Sequence, residues 1–211
     1  MGGRFHRYAA LIVALGAAGC SESYSSGTVD AAPGGADASD PGKPDAGANP
    51  TQLPFTVDDW FAPSGYMGDG ESPGAITDKP MCMPSRPSGW VGHCHRFAYT
   101  PGTKKWGGVY WQYPDGNWGD HPGLVIPTGA TKVSFQAWGE AGGEKLKFLV
   151  GMKAVDGFEI DKEGVELTTT PTLVEIDLTG ATYGKVVGGF GWVAADATSA
   201  ISFNVDDLHW Q

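Results

Sequence analysis

After Leu53 no stretch of this chain keeps a helical period through ten residues. Short apolar runs recur instead, set between clusters of Gly, Pro, Asn and Asp. Several alternate apolar with polar residues, the period of a strand with one face buried, because successive side chains point to opposite faces of a sheet. Lys132–Ala137 puts Val133, Phe135 and Ala137 on one face, and Leu173–Leu178 does the same with Val174, Ile176 and Leu178. Phe55–Val57, Phe97–Tyr99, Val109–Tyr113, Phe148–Met152 and a final run through Ile201, Phe203 and Val205 add further strands. Val187–Val193 is apolar on both faces, which predicts a central strand. There is no internal repeat. Short strands at this spacing predict an all-β fold, an antiparallel sandwich or barrel over residues 53–211.

The first 52 residues have a different character. Arg4 and Arg7 precede an apolar run from Tyr8 to Ala18, too short for a bilayer span of about 20 residues but built like a secretory signal, residues 1–19. Leu15-Gly16-Ala17-Ala18-Gly19-Cys20 resembles the lipobox of bacterial lipoproteins, with Ala17 where that family most often has Leu. The resemblance implies lipid, palmitate included, on Cys20, cleavage before it, and attachment of the domain to a membrane outside the cytoplasm. Ser21, where an Asp would favour the inner membrane, implies the outer membrane of the cell envelope by the same resemblance. Residues 20–52 are dominated by Ser, Gly, Ala, Pro and Asp. They cannot bury enough apolar surface to offset chain entropy, and are expected to form a disordered tether.

If Cys20 carries lipid, Cys82 and Cys94 remain to pair, as expected in an oxidising compartment. A disulfide closing a loop of that size contributes about 3 kcal/mol. The rival is a metal site with His93 and His95, but alternation puts both histidines on one face and Cys94 on the other, and the paired Cys-x-x-Cys of zinc modules is missing. The net charge of −10 argues against nucleic acid as a partner and against adhesion to anionic headgroups without an anchor. His93, His95, His121 and His209 form no recognised catalytic pattern, and no phosphate loop or nucleophile elbow is present, so neither catalytic residues nor an organic cofactor are assigned. His95, next to Arg96, is expected to stay neutral.

The ending Ile201-Ser202-Phe203-Asn204-Val205-Asp206-Asp207-Leu208-His209-Trp210 resembles the closing strand of jelly-roll carbohydrate-binding modules of the galactose-binding-like superfamily, and Val57-Asp58-Asp59-Trp60-Phe61 resembles their opening. The resemblance implies a jelly-roll sandwich, a glycan as partner and a structural Ca²⁺ near the first and last strands. Hard cations take oxygen ligands, so Asp59, Asp69 and Asp206 are the candidates, chosen from Asp58, Asp59, Asp206, Asp207 and the Gly-rich loop Gly65–Glu71.

The segment Trp106–Gly119 carries five large rings with amides and an acid. Sugars present apolar C–H faces ringed by hydroxyls, so a site for them needs a flat ring to stack on and planar polar groups beside it. Tyr110, Gln112, Asp115, Asn117 and Trp118 are the candidate ligand-binding residues, with Trp118, in a turn, as the exposed ring. Trp111, on the opposite strand face with Val109, is expected in the core; all five rings could equally be packing. Glu159-Ile160-Asp161-Lys162-Glu163 resembles the catalytic strand of laminarinase-type glycosidases. Lys162 stands where that family has an apolar residue, and Gly157 and Gly164 bracket a short run, so a solvated edge strand or loop is expected. The expected function is non-catalytic glycan binding by an anchored surface lipoprotein. The alternatives are an envelope protein that binds another protein, and a glycosidase or polysaccharide lyase on a jelly-roll scaffold.

Overall fold

Strands form wherever the sequence alternates, and also in places where glycine hides the signal. The computed structural model describes residues 48–82 and 86–211; the signal segment, Cys20 and the tether up to residue 47 lie outside the described residues. In chain order the strands are β1 (Phe55–Thr56), β2 (Ala62–Gly68), β3 (Ile76–Lys79), β4 (His95–Tyr99), β5 (Gly107–Gln112), β6 (Leu124–Val125), β7 (Lys132–Gly139), β8 (Lys145–Val150), β9 (Ile160–Glu166), β10 (Thr172–Asp177), β11 (Lys185–Val186), β12 (Gly188–Ala194) and β13 (Ile201–Trp210). One short helix, α1 (Lys153–Asp156), follows β8.

Two sheets make the sandwich. The first has the order β10-β7-β13-β4-β3, with β1 on the far end of β13; the second has the order β2-β5-β12-β8-β9; β6 and β11 form a small ribbon. The pairings are antiparallel. This is the expected jelly-roll β-sandwich. The inward faces meet in an aromatic core. Val133, Phe135 and Ala137 of β7 and Val174 and Ile176 of β10 are buried, as their alternation requires. Phe135 packs against Phe148 with ring centroids 4.7 Å apart, and Trp192 against Phe203 at 4.8 Å. Burying each such ring contributes on the order of 2–3 kcal/mol. Strand β12, apolar on both faces, is the middle strand of the second sheet.

Strand β2 overlaps the segment read as a Gly-rich loop from Gly65. It pairs with β5 from Ala62 to Gly68. Gly65 removes the alternation from the sequence for a packing reason: a Cβ there would come within 2.7 Å of the Gln112 side chain. The folded chain also begins slightly before Leu53, since Asn49 Oδ1 accepts the Val125 N–H at 2.9 Å and Pro50 is buried. In the closing strand the register slips between Asp206 and His209, where Asp207 has φ 53°. This is a bulge, which re-aims the side chains around it.

Each sheet also has an outer face. On the first sheet, Cys82, Trp90 and Cys94 cluster with Trp138. Cys82 and Cys94 are disulfide-bonded, as expected, with Cα atoms 5.7 Å apart. Trp90 packs on Trp138 with centroids 5.9 Å apart. The second sheet carries a separate apolar cluster of Tyr110, Leu149, Met152 and Val187, flanked by Met67 and Val193.

Candidate functional site

The outer face of the second sheet is paved with glycine. A Cβ at Gly191 would sit 2.9 Å from Tyr110 Cδ1, and one at Gly188 3.3 Å from the same atom. Tyr110 therefore lies down across β12 instead of standing off the sheet. Its hydroxyl donates to Glu159 Oε2 at 3.1 Å. Burial, and then the charge of Glu159, push its ionisation well above the ordinary tyrosine value.

The turn after β5 closes one end of this face. Asn117 organises it: Nδ2 donates to the carbonyls of Tyr113 and His121, both at 2.9 Å, and Oδ1 accepts the N–H groups of Gly119 and His121. With its polar atoms spent inside the turn, Asn117 pushes the next side chain out. Trp118 is 46% exposed, and its ring meets Tyr110 edge-on at 6.4 Å. The turn rests on α1, since a Cβ at Gly119 would come 3.1 Å from Val155. Asp156 holds α1 to the sheet by accepting the N–H groups of Met152, Val187 and Gly188.

Of the five residues predicted to bind a ligand, Trp118 and Asp115 reach solvent, and Tyr110, 5% exposed, forms the floor beneath Trp118. Gln112 and Asn117 do not face outward. Gln112 is fully buried: its Oε1 accepts from Ser64 Oγ at 3.1 Å, and Ser64 Oγ in turn accepts the Gly116 N–H, so the turn closes over the amide. Other polar groups on this face come from Glu159–Glu163, the segment expected to form a solvated edge strand or loop. Strand β9 is an exposed edge strand beside β8. It brings Asp161 opposite Leu149, where Lys147 donates to Asp161 Oδ2 at 3.2 Å. Glu159 reaches Tyr110 just before that strand. The signal that could have located them is the run of glycines in β12 opposite a tyrosine in β5, a mark of side chains lying flat on a sheet. Trp106, 39% exposed, is a second accessible indole; Trp111, Trp138 and Trp192 are enclosed.

The oxygen-lined cation site expected from Asp59, Asp69 and Asp206 is not assembled, because each acid serves a different network. Asp69 Oδ2 accepts from the Tyr99 hydroxyl at 2.9 Å and the Gly102 N–H at 2.7 Å, and Oδ1 from the Lys104 N–H at 2.9 Å. Burial opposes its ionisation, but these donors hold the carboxyl below its ordinary value, and Tyr99 is pushed up to about 12. Asp206 is gripped by the Arg86 fork at 2.8 and 2.7 Å and accepts the Asp207 N–H at 2.7 Å. Asp59 is exposed on the turn after β1. Donors already occupy the oxygens of Asp69 and Asp206, and Asp59 stands apart from both.

A second polar cluster lies at one end of the core. His95 Nδ1 is 2.8 Å from Asp78 Oδ2, and Nε2 is 3.2 Å from Asp58 Oδ1. Asp58 also accepts the Trp111 indole N–H at 2.9 Å and the His93 backbone N–H at 2.8 Å. The expectation that His95 stays neutral is overturned. Burial alone would lower its pKa, but the hydrogen bonds and charges of Asp58 and Asp78 push it up to about 9. Arg96 points to the other face of β4, where it pairs with Glu140.

No protein-family model matches the sequence, and no curated protein does. Solved structures are similar. A family 30 carbohydrate-binding module shares 15% identity over 76% of this chain and 99% of its own, with a TM-score of 0.51. The family 30 module of a cellulosomal cellulase of Clostridium thermocellum shares 15% identity over 76% of this chain and 98% of its own, with a TM-score of 0.48. The family 11 module of another cellulase of that organism shares 15% over 74% and 93%, with a TM-score of 0.46. The first of these fixes the class of fold: the domain is a jelly-roll β-sandwich like that of carbohydrate-binding modules.

Proposed function

We propose that this domain is a non-catalytic glycan-binding module that takes an extended polysaccharide across the outer face of the second sheet. The observation that carries the proposal is the Trp118 indole, held out over a floor of Tyr110 by a turn whose own amides are satisfied. An exposed indole stacks on the C–H face of a sugar ring. Glu159, Asp161, Lys147 and Asp115 stand on this face or at its end to meet hydroxyls. The face is a surface and not a deep pocket, which suits a polymer better than a small molecule. The fold shared with a carbohydrate-binding module supports the same reading. We also propose, from the lipobox-like segment alone, that lipid on Cys20 anchors the chain at the cell envelope; metabolic palmitate labelling tests this, with label expected on the parent chain and lost in Cys20→Ala.

The test is affinity electrophoresis of the full chain through gels containing soluble β-glucans, xylans and mannans, with reducing-end release measured alongside. Retardation by at least one polymer without sugar release is expected. Trp118→Ala should weaken that interaction about 30-fold, the effect of losing one central aromatic contact worth about 2 kcal/mol. Release of reducing ends would replace the proposal with an enzyme.

A further inference from the structure

We propose that Asp58, His93 and His95 form a binding site for a divalent transition-metal ion of the zinc class, separate from the glycan face. One ligand atom from each of the three comes within 4.8 Å of the other two. They converge from two segments that alternation alone could not connect: the turn after β1 supplies Asp58, and the approach to β4 supplies His93 and His95 on one face.

The spacing is informative. Two ligand atoms held about 2.0 Å from one tetrahedral zinc ion stand about 3.3 Å apart. His95 Nε2 and Asp58 Oδ1 are 3.2 Å apart. An imidazolium–carboxylate hydrogen bond is shorter, about 2.7–2.9 Å, and the other ring nitrogen makes one of that kind, 2.8 Å from Asp78 Oδ2. Asp78 thus does for His95 what a carboxylate does behind a metal-bound histidine: it accepts the Nδ1–H hydrogen bond and aims Nε2 at the ion. Asp58 is likewise oriented, by the Trp111 indole and the His93 backbone N–H. Asp78 Oδ1 is buried without a hydrogen-bond partner, so the cluster holds negative charge that a cation would offset.

The donor set selects the ion. Two imidazoles and one carboxylate suit zinc, copper or nickel, whereas calcium takes six or more oxygens. The His93 ring is exposed and stands 6.4 Å from that of His95. It gives the ion a route from solvent and leaves a position open for water. A second cluster of potential ligands among the described residues, Cys82, Cys94 and Asp206, carries no such site, because the two sulfurs are bonded to each other and Asp206 is held by Arg86.

The test uses the untagged full chain, stripped with chelator and titrated with zinc chloride against a chromophoric competitor. Saturation at one equivalent is expected, with no uptake of calcium and a raised thermal midpoint. His93→Ala should weaken zinc binding at least ~10-fold and change the metal-free thermal midpoint little, since its exposed ring makes only an edge contact with His95 while its backbone N–H keeps the bond to Asp58. His121→Ala, a histidine outside the cluster, should bind zinc like the parent. Cobalt in place of zinc should give the visible bands of a four-coordinate site. Absence of saturable zinc binding overturns the proposal, as does binding that survives in His93→Ala.

Discussion

The two outer faces of this sandwich have been finished in opposite ways. On the first sheet the chain covers its own surface: the segment between β3 and β4 is stapled by Cys82–Cys94, lays Trp90 on Trp138 and locks Arg86 onto Asp206. On the second sheet the cover stops at one end. Glycines let Tyr110 lie flat, the turn after β5 projects Trp118 into solvent, and charged groups of β8 and β9 take the remaining surface. The difference shows why a count of aromatic residues cannot locate a site. Trp138 and Trp118 are both tryptophans on outer faces, but one is roofed by its own chain and the other is presented.

The comparison predicts a separation of stability from binding. Trp138→Ala empties the roofed face and should cost about 3–5 kcal/mol by denaturant unfolding, while the folded fraction keeps its full glycan affinity. A loss of affinity there would mean that the closed face also serves the ligand. Gly191→Ala acts on the open face. Its Cβ meets the Tyr110 ring at 2.9 Å, so stability should fall by about 1–3 kcal/mol from overpacking, with weaker glycan binding as the ring lifts. Unchanged affinity would remove Tyr110 from the site.

Asp69 gives the smallest effect and a control away from both faces. Its carboxyl lies below the ordinary value in the folded chain, so it favours folding above that ordinary value. The contribution fades as pH falls through the folded value, because the unfolded chain takes up the proton first. Unfolding curves measured from neutrality down to acid should therefore lose stability less steeply in Asp69→Asn than in the parent. Parallel pH profiles would show that the hydrogen bonds to Asp69 do not depend on its charge.

Much of the fold was legible because a buried face imposes period two. Val133–Phe135–Ala137 and Val174–Ile176–Leu178 announced their strands, and the unbroken apolar run of β12 announced a middle position. Strand β2 was hidden because Gly65 and Gly68 erase the period. Of the proposed site, Trp118, Tyr110 and Asp115 were legible, through the turn and the strand before it. Gln112 and Asn117 were misplaced since an amide looks the same in sequence whether it meets a sugar or closes a turn. Glu159 and Asp161 reached the face through the pairing of β9 with β8, and Asp58 met His95 through the packing of one strand end against another. Neither pairing is written in one sequence.

The central claim is that the ligand sits on Trp118. Nitrogen-15 spectra of the eight tryptophan indole N–H groups, recorded while a polysaccharide fragment that binds the chain is added, test it most directly. The account predicts that the Trp118 signal moves with saturation while those of Trp111, Trp138 and Trp192 stay still. A Trp118 signal that remains fixed while the fragment binds would contradict it.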